Sequence, residues 1–456
     1  MSDRSNLGVD RHPGPNYRDI IRTDPGPLNQ YLALESNPPQ STADIAYERY
    51  TSKAFFDEEM QKMWRRVWQY ACRVEHVGEE GDYFVYDIGR ISILITRAQD
   101  GIKAYYNSCL HRGTKLKPSG GGGWSPSLQC PFHGWDWHLD GSVKNIPCKW
   151  DFAHVDEAKF RLPEVRVDVW NGMVFICLDP ESEPLMDYLG VLPQHFEKWG
   201  LDNWYLHLHT CKELTGNWKL VREAFAEAYH GPFVHPEMCL VLGDVIMQYD
   251  SFGPNIARSL TPYAIPSPAA PKRLSEQELL DGMLTDPSLH QKRLVLKDGE
   301  TARAMMASKA REQMLRDYGI DCSDMSNSEM LDSLQYHIFP NIFLFAGTSL
   351  RMIQRARPIG NDPERSTYEV MIFRPVPPGQ PAPPPADAVH LREDESLVSV
   401  DGFNPFLGMI LEQDTNIMRL QHEGMHSSAK LGETLGRYQE SPIRVNSGNK
   451  RGHSVP

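Results

Sequence analysis

Before residue 180 the chain alternates or runs apolar in short stretches, as strands do. Asp82-Tyr83-Phe84-Val85-Tyr86-Asp87 and Ile91–Thr96 are rich in β-branched and aromatic residues. Ile88-Gly89-Arg90 lies between them, which predicts a hairpin. Trp137–Ser142 contains Asp140-Gly141, a tight-turn signal for a second hairpin. Val165, Val167 and Val169 fall on one face of a strand, and Met173–Leu178 is continuously apolar. Trp170-Asn171-Gly172 separates these two. Ahead of them, Phe56, Met60, Met63 and Val67 have helical spacing. Gly120 to Gly123 reads as a flexible turn. Residues 1 to about 40 are polar, carry six prolines, and read as an extended arm, disordered or wrapped on a neighbouring subunit.

The pattern changes after Asp179-Pro180. Tyr205–Thr215 reads as a strand. Asn217 is an N-cap for a helix over Trp218–His230, stopped by Gly231-Pro232. A long polar segment over about 265–332 holds helical stretches and several methionines. Strands are predicted over Gln335–Ala346, Ser349–Arg357 and Thr367–Arg374, then a proline-rich loop over 375–385. A helix follows from about Pro405 to Gln421, on which Ile410, Asp414, Ile417 and Gln421 share a face read as core-facing. The chain thus divides into an arm over 1–44, a strand-rich domain with a flanking N-terminal helix over 45–180 and a domain of mixed helices and strands over 181–456.

Composition narrows the partners. The 47 basic and 60 acidic residues leave a net charge of −13, which argues against nucleic acid, since a phosphate backbone needs a basic surface. No uninterrupted apolar run approaches the ~20 residues of a membrane span. Met1 to Asn16 has no apolar signal region, so a reducing cytoplasm is the expected compartment. The eight cysteines show no disulfide framework.

Two constellations carry chemistry. The first is Cys109-x-His111, eighteen residues, then Cys130-x-x-His133. Two thiolates and two imidazoles suit one tetrahedral zinc or a two-iron cluster with the histidines on one iron. Zinc fingers usually separate paired ligands by two or more residues, and Cys109 and His111 are separated by one. The second is Glu223, Glu227 and His230, which share one face of the predicted helix. His235 can return toward His230 after the Gly-Pro break. Two imidazoles and a carboxylate form the facial triad of non-haem Fe(II) oxygenases. Asp414 is the candidate carboxylate, because an acid on an apolar stripe is costly unless paired or metal-bound. Glu412 is the alternative.

Asn107–Gly113 together with Cys130–Trp135 closely resembles the Rieske iron-sulfur domain of ring-hydroxylating oxygenases. The pattern E-x3-E-x2-H-x4-H resembles the catalytic-iron motif of the same family, and the likeness covers about residues 45 to 440. It implies a Rieske [2Fe-2S] cluster with Cys109 and Cys130 on one iron and His111 and His133 on the other. It implies a mononuclear Fe(II) on His230, His235 and Asp414. Glu227 stands where the family usually has Asp, in the role of electron bridge between subunits, and Ala224 stands where many members have Asn. The implied fold is an antiparallel β Rieske domain joined to a helix-grip catalytic domain with a curved antiparallel sheet. The implied electron route runs from NAD(P)H through a flavin reductase or ferredoxin to the cluster, then to the iron of an adjacent subunit, with O2 as co-substrate. A homotrimer, or an α3β3 assembly with a small β subunit, is expected. The expected function is hydroxylation of an aromatic or largely apolar substrate, with ring dihydroxylation favoured. Monooxygenation or oxidative demethylation is the alternative, and an electron carrier with an inert second site a further one. Phe225, Met238, Leu240, Val241, Phe339, Phe343, Phe345 and Met352 are the expected pocket lining, with the segment 265–332 capping the entrance.

Overall fold

The computed structural model describes residues 11–12, 14–36, 41–270, 272–283 and 294–447. The segment read as an extended arm is partly helical. Tyr17–Thr23 forms a helix whose N-cap Asn16 and Asp19 make a reciprocal capping box. Its Tyr17 is fully buried and donates to Asp332 at 2.9 Å. The prolines flank this helix rather than interrupt it, and its apolar side has its own chain to pack on. The rest of the arm's N-terminal end lies outside the described residues.

The first domain is built from three small antiparallel sheets. Strands Asp82–Ile88 and Ile91–Ala98 pair as the alternation predicts, and Gly101–Tyr106 joins them. The four glycines are not a free turn. Gly121–Trp124 is the fourth strand and pairs with Asp82–Val85. Glycine is required there for close approach: a Cβ on Gly122 would stand 2.7 Å from the Tyr83 carbonyl oxygen, and one on Gly123 would meet the Tyr83 hydroxyl at 2.8 Å. Arg166–Trp170 and Met173–Cys177 form the expected hairpin, through Asn171 and Gly172 at positive φ. Both central residues of such a two-residue turn take positive φ, which suits Asn-Gly.

An eight-stranded sheet dominates the second domain. Its order is Gln248–Ser251, Ile256–Thr261, Ser333–Ile338, Ile342–Ala346, Met352–Pro358, Arg365–Pro375, Trp204–Thr215, Ala388–Leu391. All neighbours are antiparallel except the last pair. The run predicted as one strand over Gln335–Ala346 is a hairpin turning at Phe339-Pro340-Asn341. Helix Pro405–Ser427 lies against the sheet and against helix Trp218–Ala224. It buries Leu411, Asp414, Thr415, Met418, His422 and Met425. This stripe is offset from the predicted face: Ile417 is 46% exposed, and Gln421 faces solvent. Asp414 lies in the true stripe because its partners lie under it. Among the described residues no helix is long and apolar enough to cross a membrane.

Candidate metal centres

The two loops of the first domain repeat one backbone design. The Cys109 N–H donates to the Thr114 carbonyl at 2.8 Å, and the Gly113 N–H donates back to Cys109. Likewise the Cys130 N–H donates to Trp135 at 2.7 Å, and Gly134 donates back to Cys130. Gly113 and Gly134 both have positive φ, at 78° and 71°, which a residue with a Cβ rarely adopts. Each loop therefore offers one thiol and one imidazole in matched geometry. Both cysteines are buried and form no disulfide. Burial and the neighbouring Cys130 thiol push the Cys109 thiol up to about 11, so a cation is needed to hold Cys109 as a thiolate. The His111 and His133 rings stand 4.6 Å apart, and Trp135 stacks on His111 at 5.1 Å with an interplanar angle of 2°. His111 Nδ1 is buried without a hydrogen-bond partner. Burial lowers the His111 pKa, which favours the neutral imidazole a metal needs. These four residues fit a cluster with thiolates on one side and imidazoles on the other.

The second centre departs from the predicted helix. That helix ends at Ala224, not His230. Tertiary partners take over the backbone groups past the break: Gln335 Nε2 donates to the Phe225 carbonyl at 2.6 Å, and the Ala228 N–H donates to the Tyr249 hydroxyl at 3.2 Å. The Asn217 cap is as expected, accepting from the Lys219 N–H. Glu223, Glu227 and His230 therefore do not share a helix face. Glu223 turns into the core and accepts from Tyr50 at 2.7 Å. Glu227 stays with His230, taking its Nδ1 at 2.7 Å.

His230, His235 and Asp414 converge, with one ligand atom of each within 4.8 Å of the others. Asp414 Oδ1 lies 3.3 Å from His230 Nε2 and 2.9 Å from His235 Nε2. The outer nitrogens are anchored. His230 Nδ1 meets Glu227, and His235 Nδ1 meets Gln413 Oε1 at 2.7 Å. Gln413 Nε2 in turn donates to Glu237 at 2.8 Å. An acceptor at each Nδ1 places the proton there and aims the Nε2 lone pair inward. Burial disfavours the His230 imidazolium, but Asp414 and Glu227 outweigh it and push its pKa up to about 10. His235 rises for the same reason, with burial opposed chiefly by Asp414. Two imidazoles and a carboxylate that draw positive charge this strongly fit a divalent iron. Glu412 takes no part: it accepts from Ser396 and from the Leu397 backbone. Sequence reading missed Gln413 and Glu237, although the Glu412-Gln413-Asp414 run placed an amide beside the candidate ligand.

A cavity of about 640 Å³ opens between the sheet and the C-terminal helix. Met238 and Ile410 border it, three and four residues from His235 and Asp414. Of the eight residues predicted to line the pocket, only Met238 does. Phe225 stacks on Tyr368. Phe339, Phe343, Phe345 and Met352 belong to the main core. Leu240 and Val241 pack on a side cluster with Leu279 and Leu280. Helix Ala302–Tyr318, from the segment expected to cap the entrance, contributes Ala310, Gln313, Met314 and Tyr318. Trp204, His207, Arg351 and Arg374 also line the cavity.

A family model described as the ring hydroxylating alpha subunit (catalytic domain) matches residues 196–446, and one for the Rieske [2Fe-2S] domain matches residues 67–156. The chain is 29% identical over 194 residues to the glycine betaine monooxygenase oxygenase subunit of Pseudomonas aeruginosa, covering 42% of this chain and 45% of that protein. It is 27% identical over 212 residues to the anthranilate 1,2-dioxygenase large subunit of Acinetobacter baylyi, covering 44% of each. It thus spans about half the length of the curated relatives it matches. In fold it is similar to the quaternary ammonium Rieske monooxygenase CntA in complex with L-carnitine, with a TM-score of 0.60 and 15% identity over 96% of this chain and 98% of that one. It is similar also to naphthalene 1,2-dioxygenase with indole bound, with a TM-score of 0.62 and 17% identity over 92% and 94%. The cofactors of this architecture are a Rieske [2Fe-2S] cluster and a mononuclear iron that uses O2. The chain therefore belongs to the ring-hydroxylating oxygenase alpha subunits, with a Rieske [2Fe-2S] domain ahead of the catalytic domain.

Proposed function

We propose that this chain is a terminal oxygenase that inserts oxygen from O2 into a small organic carboxylate with an apolar body. One observation carries the substrate class: the cavity wall holds an unpaired buried cation. Arg351 is 6% exposed. Its Nη1 donates to the Trp199 carbonyl and, at 3.4 Å, to that of Gly200, while its Nε has no partner. The guanidinium stacks over Trp204 at 4.1 Å. No carboxylate pairs with it among the described residues. Burial lowers its pKa to about 9. Arg374 and His207 line the same cavity, and no Asp or Glu is among the described lining residues. A guanidinium recognises a carboxylate through paired hydrogen bonds. The remaining wall, including Met238, Leu242, Met314, Phe406 and Ile410, suits an apolar body. Anthranilate, glycine betaine and carnitine, named for several relatives, each carry a carboxylate; a bare quaternary ammonium finds no acidic partner here.

In this reading Cys109, Cys130, His111 and His133 hold the cluster, and His230, His235 and Asp414 hold the iron. When bound, the cluster supplies single electrons and the iron activates O2. The chain's own residues set the geometry. Glu227 and Gln413 keep both imidazoles in the ligating tautomer. Arg351 orients the substrate, and the cavity wall excludes water. His133 and Phe132 are exposed at the cluster edge. Tyr229 and Phe233 are 57% and 85% exposed beside His230. Apolar surface of this kind marks a docking edge, and it supports electron transfer between neighbouring subunits through Glu227, fed by a ferredoxin or flavin reductase. An electron carrier with an inert second site leaves the anchored triad and the cavity without purpose.

The test is coupled O2 consumption with a reductase and NAD(P)H. Aromatic and betaine-type carboxylates are expected to be turned over, and their methyl esters poorly. Arg351→Met should raise KM for the carboxylate about 10–100-fold, the worth of a hydrogen bond to a charged group. Equal turnover of acid and ester, unmoved by this substitution, would remove the carboxylate assignment.

A further inference from the structure

A second cluster of metal-ligating side chains lies beyond the catalytic centre on the C-terminal helix. His422 and His426 stand one turn apart on Pro405–Ser427, so both imidazoles project from one side. Their rings are 4.9 Å apart. Glu364, in the loop between strands Met352–Pro358 and Arg365–Pro375, reaches them from the sheet, with its Oε1 3.1 Å from His426 Nε2. One ligand atom from each of the three lies within 4.8 Å of those of the other two.

The buried member makes this more than a surface ion pair. His422 is only 4% exposed, and its Nε2 has no hydrogen-bond partner. A buried ring nitrogen with no partner is costly, and Glu364 and His426 each bring a ligand atom within 4.8 Å of one on the His422 ring. The Glu364 backbone is pinned twice: its carbonyl accepts from the Gly216 N–H at 2.7 Å, and its own N–H donates to Asp362 Oδ1 at 2.9 Å. The carboxylate and His426 are about half exposed, so both can turn toward an ion without repacking the core.

We propose that Glu364, His422 and His426 form a binding site for a divalent zinc-class cation, separate from the oxygenase iron. Two imidazoles and one carboxylate with a water in the fourth position is an established zinc donor set. Tetrahedral bonds of about 2.0–2.1 Å require about 3.4 Å between ligand atoms, and small rotations of Glu364 and His426 supply the closure. The same donors accept Co(II), Ni(II) and Cu(II), and zinc is the ion of choice for a site with no redox task. Bound there, the ion ties the sheet loop to the helix that carries Asp414 two turns upstream.

The experiment uses the full-length protein with its iron centres loaded, stripped of adventitious metal, dialysed against Zn2+ and washed. Zinc and iron per chain are measured together with the thermal midpoint. The expected result is one additional zinc per chain, no loss of iron, and a raised midpoint. Glu364→Ala with His426→Ala, both at exposed positions, should abolish the zinc uptake and the shift while iron content stays as in the parent. Zinc uptake matched by iron loss, equal uptake by the double variant, or no zinc retained by the parent would each overturn the site.

Discussion

Asp414 faces two imidazoles at once, and each imidazole is braced from behind. Removing the carboxylate leaves the two Nε2 atoms with no anionic ligand between them. Asp414→Ala is expected to lose one iron per chain with acid-labile sulfide unchanged, read by paired iron and sulfide assays. Loss of sulfide as well would mean that the substitution unfolds the chain rather than empties one site. Gln413 is the subtler case, since it touches no metal. Gln413→Ala frees the His235 ring, and support lost behind a ligand typically weakens metal affinity about 10–100-fold. Titrating iron back into the depleted protein measures this. An unchanged affinity would show that packing alone orients His235. The candidate cluster ligands were legible as residues, because C-x-H and C-x-x-H are contiguous patterns. Gln413 and Glu237 were not, because their partnership joins positions 176 apart in the chain.

At the scale of elements, local pattern predicted strands and caps well and helix ends poorly. The Asn217 cap is a short-range fact, since the side chain bonds two residues on. The end of its helix at Ala224 is a long-range one, because Gln335 and Tyr249 supply the competing hydrogen bonds. Buried histidines link these elements to pH. His76 sits in the turn Val74–Val77, and His195 ends the short helix Leu192–His195, meeting the Tyr336 hydroxyl at 2.9 Å. Burial pushes each pKa down from 6.5 to about 4. The unfolded chain therefore takes up protons that the folded chain refuses. Their contribution is complete above about pH 6.5 and falls as the pH drops toward 4. By pH 5 each site should cost about 2 kcal/mol, seen as a falling urea midpoint between pH 7.5 and 5. His195→Gln should flatten that slope. A slope identical to the parent's would count against His195 as a contributor.

At the scale of the whole molecule, the exposed aromatics are the most telling feature. Phe233, Tyr229 and Phe132 are large apolar side chains left at the surface within two residues of His235, His230 and His133, and exposed apolar surface of this kind suits a contact with a partner. Under the proposed electron route, Phe233→Asp should shift the assembly toward monomers in light scattering. It should also suppress coupled turnover, with the Rieske spectrum intact. An unchanged assembly would place the subunit contact elsewhere.

The sequence by itself determined the candidate ligand residues and the order of the two domains. Thiol and imidazole spacing within a loop is set by a few bonds, and strand alternation by the two-residue repeat of the backbone. Only the tertiary structure decided which face of the C-terminal helix is buried, where the motif helix stops, which residues line the cavity and that Arg351 has no anionic partner. Each of these depends on groups brought together across hundreds of residues. A buried charge or an orphaned imidazole can be recognised only once its surroundings are known.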